Sequence, residues 1–433
     1  MTLQFVIAFA FLIYSVLAGP VSANASATAL APTTVSWREA MQLTEQENPE
    51  LGVARENLRA SEARKTSAYA GFLPTVKASV GYENTDRSGT STIPATTGTG
   101  WTAGLNGSWN LFSGFGDAAK IAQTESDRRV AEAALRISNA KISSDLKSAF
   151  EAVAYARDYA KLTTQILKRR EENLRLVQLR FESGRENKGS VLLSEAYLEQ
   201  ARYDDLQARN AGRTSAVQLA KILALDGDET SAIEVVGNVP VSDPQLAPDF
   251  NSLVLVTPDY LQAIEQAHSL EAARKMARAS FYPSLDLTSS VGKRGPSFFS
   301  GEQDTRTIAV TLNIPIFSGG RDYNNYRAAA ATAAAGDFTR DNTLRDVRRK
   351  LEVAWAGYLE SVAKLRADES FRKAAVVRSY IGRTRYNNGL LTFDDWDIIE
   401  NDLISRQKTV LQTRRDRATA EGAWEQAQGK GVW

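Results

Sequence analysis

Four stretches of the chain alternate apolar and polar residues, the period of a strand with two unlike faces. In the first, Val76, Ala78, Val80 and Tyr82 share one face, and Thr75, Lys77, Ser79 and Gly81 take the other. The second sets Trp101, Ala103, Leu105, Gly107, Trp109 and Leu111 against Thr102, Asn106, Ser108 and Asn110. Leu285, Leu287 and Val291 oppose Asp286, Thr288 and Ser290 in the third. The fourth opposes Ile308, Val310, Leu312, Ile314 and Ile316 to Thr307, Thr311 and Asn313. The pattern predicts strands over about 72–83, 101–112, 282–292 and 306–317. Each has about ten to twelve residues, and a tilted strand crosses a bilayer in about 9–11. A soluble antiparallel sheet with one wet face alternates identically, so the pattern alone leaves both readings open.

Between the strands the period becomes helical. From Asp117 to Ser183 there are 67 residues without Gly or Pro, about 100 Å as one helix at 1.5 Å per residue. Leu146, Val153, Ala160, Leu167, Leu174 and Phe181 recur every seventh residue, with Ile142, Ala149 and Ala156 at a companion position. That spacing predicts a coiled-coil seam. Arg321 to Asn388 also lacks Pro; Leu351, Tyr358 and Leu365 keep the heptad there, and Arg372 and Ser379 break it. Helices are expected over about 37–70, 117–183, 190–225, 258–280, 321–388 and 394–426. Gly184 and Gly389, among polar neighbours, read as turns that close two helical hairpins far from the strands.

The plan occurs twice. "GFLPTVKASVGYE" at 71–83 matches "SFYPSLDLTSSVG" at 280–292, with prolines 283 − 74 = 209 residues apart. "LNGSWNLFSGFGD" at 105–117 matches "VTLNIPIFSGGRD" at 310–322, the Phe-Ser-Gly tripeptides lying 317 − 112 = 205 apart. "RFESG" at 180–184 matches "RYNNG" at 385–389 at the same offset. The chain divides into a first repeat over 28–230, a linker rich in Pro and Asp over 231–256, and a second repeat over 257–433. At each strand-to-helix corner, glycines permit the bend: Gly114 and Gly116 in the first copy, Gly319 and Gly320 in the second. Pro315, which lacks a ladder donor, belongs at the strand's end. Asn110 stands where Pro315 does, and Phe115 separates the glycines, so the two bends are expected to differ in detail.

Composition narrows the function. The chain has no cysteine and one histidine, His268, so disulfides, thiol nucleophiles and histidine-rich metal sites are excluded. His268 lies in a helical pattern and reads as a surface or packing residue. A net charge of +1 offers no basic field for nucleic acid. The glycine-rich "GTGWTAGLNGSWNLFSGFG" lies among alternating strands and fits no phosphate loop. No cofactor and no enzymatic activity are expected. Residues 5–18 form an apolar run followed by small residues, so 1–27 reads as a signal peptide cleaved near Ala25 or Ala27. That run of 14 residues is short of the roughly 20 a membrane helix needs.

Four strands cannot line a membrane pore alone, because their edges would leave amides and carbonyls unpaired in hydrocarbon. Strands shared between copies would solve this; two copies give eight strands, three give twelve and begin to allow a lumen. Small polar residues such as Asn106, Ser108, Asn110, Thr311 and Asn313 would suit that lumen. A soluble periplasmic coiled-coil adaptor with a β-rich domain is the alternative, but it gives no reason for duplicated strand pairs of membrane-spanning length.

The pattern resembles the outer-membrane efflux proteins, the TolC-like channel-tunnels. The matching marks are "NPELGVARENLRASEARKTSAYAGFLPTV" at 48–76, "LNIPIFSGG" at 312–320, and the pair "RFESGRENKGSVLLSEA" and "RYNNGLLTFDDWDIIEN". The resemblance implies a mainly α chain with four strands: a homotrimer whose shared twelve-stranded barrel spans the outer membrane and continues as a coiled-coil tunnel in the periplasm. It implies a passive exit duct that works with a periplasmic adaptor and a proton-driven or ATP-driven inner-membrane pump. Exported cargo would be small molecules, metal ions or proteins. Gly389-Leu390-Leu391 looks like the family's adaptor-contacting tip, whereas Gly184-Arg185-Glu186 departs from it as a charged tip. Asp395, six residues beyond Gly389, matches an aspartate of the closed periplasmic aperture, with Asp394 beside it; Ser190 stands at that place in the first copy. Tyr386 matches an aromatic that helps hold such tips closed.

Overall fold

A computed structural model describes residues 34–88, 96–225, 233–244, 246–297 and 303–433. The expected signal peptide lies outside the described residues. The chain begins with β1 (Thr34–Ser36), α1 (Trp37–Glu47) and α2 (Pro49–Ala68). Then come β2 (Thr75–Arg87), β3 (Thr96–Phe112), α3 (Gly116–Glu182) and α4 (Lys188–Ile222). After β4 (Glu234–Val236) and the short α5 (Phe250–Val254), the second half repeats the order. It comprises α6 (Pro258–Ala279), β5 (Ser284–Gly295), β6 (Gln303–Asn313), α7 (Arg321–Asn387) and α8 (Phe393–Ala427).

Several expected bounds move. The helix expected over 37–70 is two, because Asn48 caps α2 through its side chain and Pro49 cannot donate into the preceding turn. The strand expected over 101–112 begins at Thr96, and the one expected over 306–317 ends at Asn313, before Pro315.

β2, β3, β5 and β6 form one antiparallel sheet in that order, so the first repeat's hairpin pairs with the second's through β3 and β5. The register sets Tyr82 opposite Trp101, Leu105 opposite Val291, and Leu287 opposite Val310, building one continuous apolar face. On the other face Ser79, Gly104, Gly292 and Thr305 align across all four strands. The apolar face covers no core: Val76 and Ile308 are more than two-thirds exposed.

The long helices pair as hairpins, α3 with α4 and α7 with α8, and α3 also packs along α8. The heptad of α3 runs along the companion position: Ile142, Ala149, Ala156, Thr163, Arg170 and Val177 are all buried. The row through Leu146 and Val153 leaves the core after Val153, and Phe181 is exposed. In α7, Ser379 does not break the seam; it is buried between Leu365 and Tyr386. An apolar search misses Thr163, Arg170 and Ser379 because their polar atoms are satisfied inside the bundle rather than by water.

About midway along the helices, β1 pairs in parallel with β4, joining the start of the first repeat to the linker. Val35, Val235 and Ile233 pack there with Leu146, Phe150 and Leu219, and Trp37 meets Phe150 edge-on at 5.4 Å. The linker is strapped down by buried carboxylates. Glu151 accepts from the Val239 amide at 2.7 Å, and Glu421 accepts from the Ser242 amide at 3.1 Å. Lys147 lies between Glu425, at 2.7 Å, and Glu421, at 3.8 Å.

Candidate functional site

The candidate residues fall at the two ends of α3 and α7, a helix length of about 100 Å apart for 67 residues. At the joint between sheet and helices, Gly114 and Phe115 have φ of 61° and 69°, and Gly319 and Gly320 have 65° and 78°. Each bend thus places two successive residues in the left-handed region, and the two differ in detail as expected: β3 runs on to Phe112, whereas β6 ends at Asn313. Gly116 is not part of the bend; it is the first residue of α3. Phe115 takes the left-handed position instead, with its ring edge-on to Phe112 at 5.1 Å and to Tyr282 at 5.7 Å. The serine of each Phe-Ser-Gly caps the following helix: Ser113 Oγ accepts from the Asp117 amide at 3.1 Å, and Ser318 Oγ from the Asp322 amide at 3.4 Å. Nearby on the polar face, Asp286 accepts from Asn110 at 2.7 Å and from Asn313 at 3.3 Å, tying β3, β5 and β6 together.

At the opposite end, both hairpins close through the same left-handed glycine cap. Gly184 and Gly389 have φ of 68° and 74°, and the residues after them donate back to Arg180 and Arg385 carbonyls at 2.8 and 2.9 Å. Arg185 and Leu390 are exposed, whereas Leu391 is partly buried against the tip's core. That core is Val177, Tyr386, Phe393 and Trp396. The Tyr386 ring lies flat on Trp396, with centroids 4.3 Å apart, and Arg180 covers its other face at 4.4 Å. Arg180 also donates to the Tyr386 carbonyl. The Tyr386 hydroxyl donates to Glu186 at 3.0 Å. Burial, and then the Glu186 carboxylate, push that hydroxyl's pKa up. Glu186, which looked like a bare tip charge in the sequence, thus ties the first tip to the second.

Asp395 is the third residue of α8. It sits in a cap in which its amide donates to Thr392 Oγ1 at 3.2 Å and its carboxylate accepts from the Thr392 hydroxyl at 2.8 Å. Asp394 and Asp395 are both exposed. Asp397 is the carboxylate drawn inward: it accepts from Tyr197 at 3.0 Å and from Asn401 at 2.9 Å, with Arg170 at 3.9 Å. Burial holds its pKa above the usual carboxylate range.

One turn further along α8, Glu400 is buried and accepts from Arg169 Nε at 2.6 Å and from Ser379 at 2.6 Å. Burial pushes the Glu400 carboxyl up, but the Arg169 and Ser379 bonds outweigh it and hold the pKa low. Sequence reasoning missed Arg169, Arg180, Glu400 and Trp396. The available signal was the arginine pair Arg169-Arg170 inside a heptad and an aromatic at 396, three residues after Phe393. His268 is exposed on α6, 3.5 Å from Glu265. Among the described residues there is no cluster of potential metal ligands.

A family model described as Outer membrane efflux protein matches residues 40–225 and 254–430. Outer membrane protein OprJ of Pseudomonas aeruginosa is 27% identical over 241 residues, covering 53% of this chain and 49% of that protein. The probable efflux pump outer membrane protein TtgC of Pseudomonas putida is 26% identical over 289 residues, 60% of this chain and 54% of that protein. The chain thus spans about half the length of these curated relatives. Among solved structures, CusC superposes with a TM-score of 0.81 at 17% identity, covering 91% of this chain and 92% of that one. The outer membrane protein VceC of Vibrio cholerae superposes with a TM-score of 0.79 at 20% identity, covering 92% and 96%.

Proposed function

For a chain that belongs to the outer membrane efflux protein family, we propose the role of a passive exit duct. Three copies would close a twelve-stranded barrel in the outer membrane, continue as a helical tunnel across the periplasm, and hand cargo out without catalysing a reaction. The observation that carries this is the sheet: four strands with one uncovered apolar face, one small polar face, and two outer strands, β2 and β6, whose outer edges have no partner among the described residues. Such a sheet is stable in hydrocarbon only when closed, and the small residues on its polar face leave room for a wet lumen. A soluble adaptor would have to hide that apolar face against something else.

Driving force would come from an inner-membrane pump, proton-driven or ATP-driven, reached through a periplasmic adaptor at the hairpin tips. In this reading Gly184, Arg185, Gly389 and Leu390 are the adaptor's landing surface. Leu391 braces it from within, and Tyr386 holds the tip shut. Asp394 and Asp395 would ring the aperture, where like charges crowded together attract cations and repel one another. Membrane fractionation tests the reading: the chain should be recovered in the outer membrane as trimers that dissociate only on heating. Recovery as a soluble periplasmic protein would sink it.

A further inference from the structure

The two hairpins end in turns of one backbone form and unlike chemistry. α3 and α7 each have 67 residues and begin 321 − 116 = 205 apart. α4 and α8 each have 35 and begin 393 − 188 = 205 apart. Positions 205 apart therefore correspond through both tips without a gap. Gly184 and Gly389 both take the left-handed cap described above, and neither has an atom within 4 Å of where a Cβ would stand. Asn187 and Thr392 then cap α4 and α8, accepting from the Ser190 amide at 3.0 Å and the Asp395 amide at 3.2 Å.

On that common backbone the side chains are opposites. Arg185 stands where Leu390 does, from 185 + 205 = 390, and Lys188 where Phe393 does, from 188 + 205 = 393. From Asn387 to Phe393 the second tip has no charged residue. Its Leu390 is 73% exposed, while Leu391 and Phe393 turn into the tip's core. The first tip carries four charges, Glu182, Arg185, Glu186 and Lys188.

Those four are not equally available. Glu186 is spent: its carboxylate accepts from the Tyr386 and Ser190 hydroxyls, each at 3.0 Å, and from the Asn187 amide at 3.2 Å. Arg180 is spent as well, on the ring and carbonyl of Tyr386. Arg185 and Lys188 are exposed, and neither has an ion-pair or hydrogen-bond partner among the described residues. Glu182 is exposed too, but it precedes Gly184 as the last residue of α3. Both cations follow the glycine, on the side that leads into α4.

We propose that the two tips divide the recognition of one partner. The second tip anchors it through Leu390; the first selects it by charge, accepting a helical tip with a carboxylate to set against Arg185 and Lys188. This rests on the reading that the tips are the adaptor's landing surface, and deepens it by naming the partner's chemistry. An apolar contact holds any partner that covers it. A rim charge instead speeds encounter with an opposite charge and rejects a like one. In a trimer the six tips alternate in kind around the closed end, so a partner built from one repeated chain has to satisfy both. Its tip therefore carries a carboxylate beside an apolar residue.

The probe is a designed ring of six helical hairpins, made with Leu beside Glu, Gln or Lys at each tip. Association with purified trimers should be fastest for the Glu ring and slowest for the Lys ring, by about tenfold at low salt. In 1 M salt, where the screening length falls to about 3 Å, the three should associate alike. Arg185→Glu with Lys188→Glu should invert the order. Leu390→Ala should slow all three rings and keep it. Lys161→Glu, on an exposed residue about 30 Å back along α3, should leave the order unchanged. An order that ignores the double reversal overturns the proposal, and so does one that Lys161→Glu inverts equally well. Heat-modifiable trimers that bind no ring overturn the tips as a landing surface. A chain that forms no trimers overturns the channel reading itself.

Discussion

Phe115 is the clearest single-residue departure from what the sequence suggests. A non-glycine residue in the left-handed region costs about 1–2 kcal/mol, and Phe115 occupies it where the second repeat has Gly320. Its ring contacts with Phe112 and Tyr282 offset that cost. The sequence hid this because glycine spacing pointed to Gly116, one residue late. Neighbouring positions should therefore respond unequally to alanine. Gly320→Ala would meet only Asn324 Nδ2, at an ordinary 3.8 Å, and should cost about 1–2 kcal/mol, the conformational term alone. Gly114→Ala also drives a Cβ to 2.7 Å from both the Ala279 carbonyl and Tyr282, so it should cost clearly more. Thermal denaturation of the two variants checks the order.

Among the elements, the seam between α3 and α8 was the least legible. Glycines, prolines and apolar periods located both hairpins, because turns and heptads leave local marks. The contacts that join the hairpins leave none: Arg169, Ser379 and Glu400 come from three helices and meet only in the fold. Removing Arg169 would strand a buried carboxylate, so Arg169→Ala should cost about 3–5 kcal/mol. Loss of heat-resistant trimers or a lowered melting temperature would register it, and an unchanged melting temperature would contradict it.

Nearer the sheet, Glu125 joins α3 to α2 through Lys65 at 2.8 Å. Arg128 and Lys65 hold its carboxyl down at about 2, against about 4.3 when unfolded. A depressed carboxyl contributes stability that is full above about pH 4.3 and is lost as pH falls toward 2. Glu125→Gln should therefore flatten the acid limb of the stability curve in that window and lower stability at pH 7. An unchanged acid limb would show that the pair is too solvated to matter.

At the scale of the molecule, duplication, strand pairs and hairpins were all readable, since each repeats a local pattern at a fixed offset. The tip chemistry was only partly so. Position singled out Asp395 and Tyr386; the structure places Asp395 in the first turn of α8, bonded to the capping residue Thr392, and Tyr386 in a core with Arg180, Trp396 and Glu186. A duct closed at that tip by a carboxylate ring has a direct electrical signature. Purified trimers in planar bilayers should give small, discrete conductance steps blocked by divalent cations, and Asp395→Ala should enlarge the steps and relieve the block. Preparations that carry no current in either form would contradict a channel, and steps untouched by the substitution would remove Asp395 from the aperture.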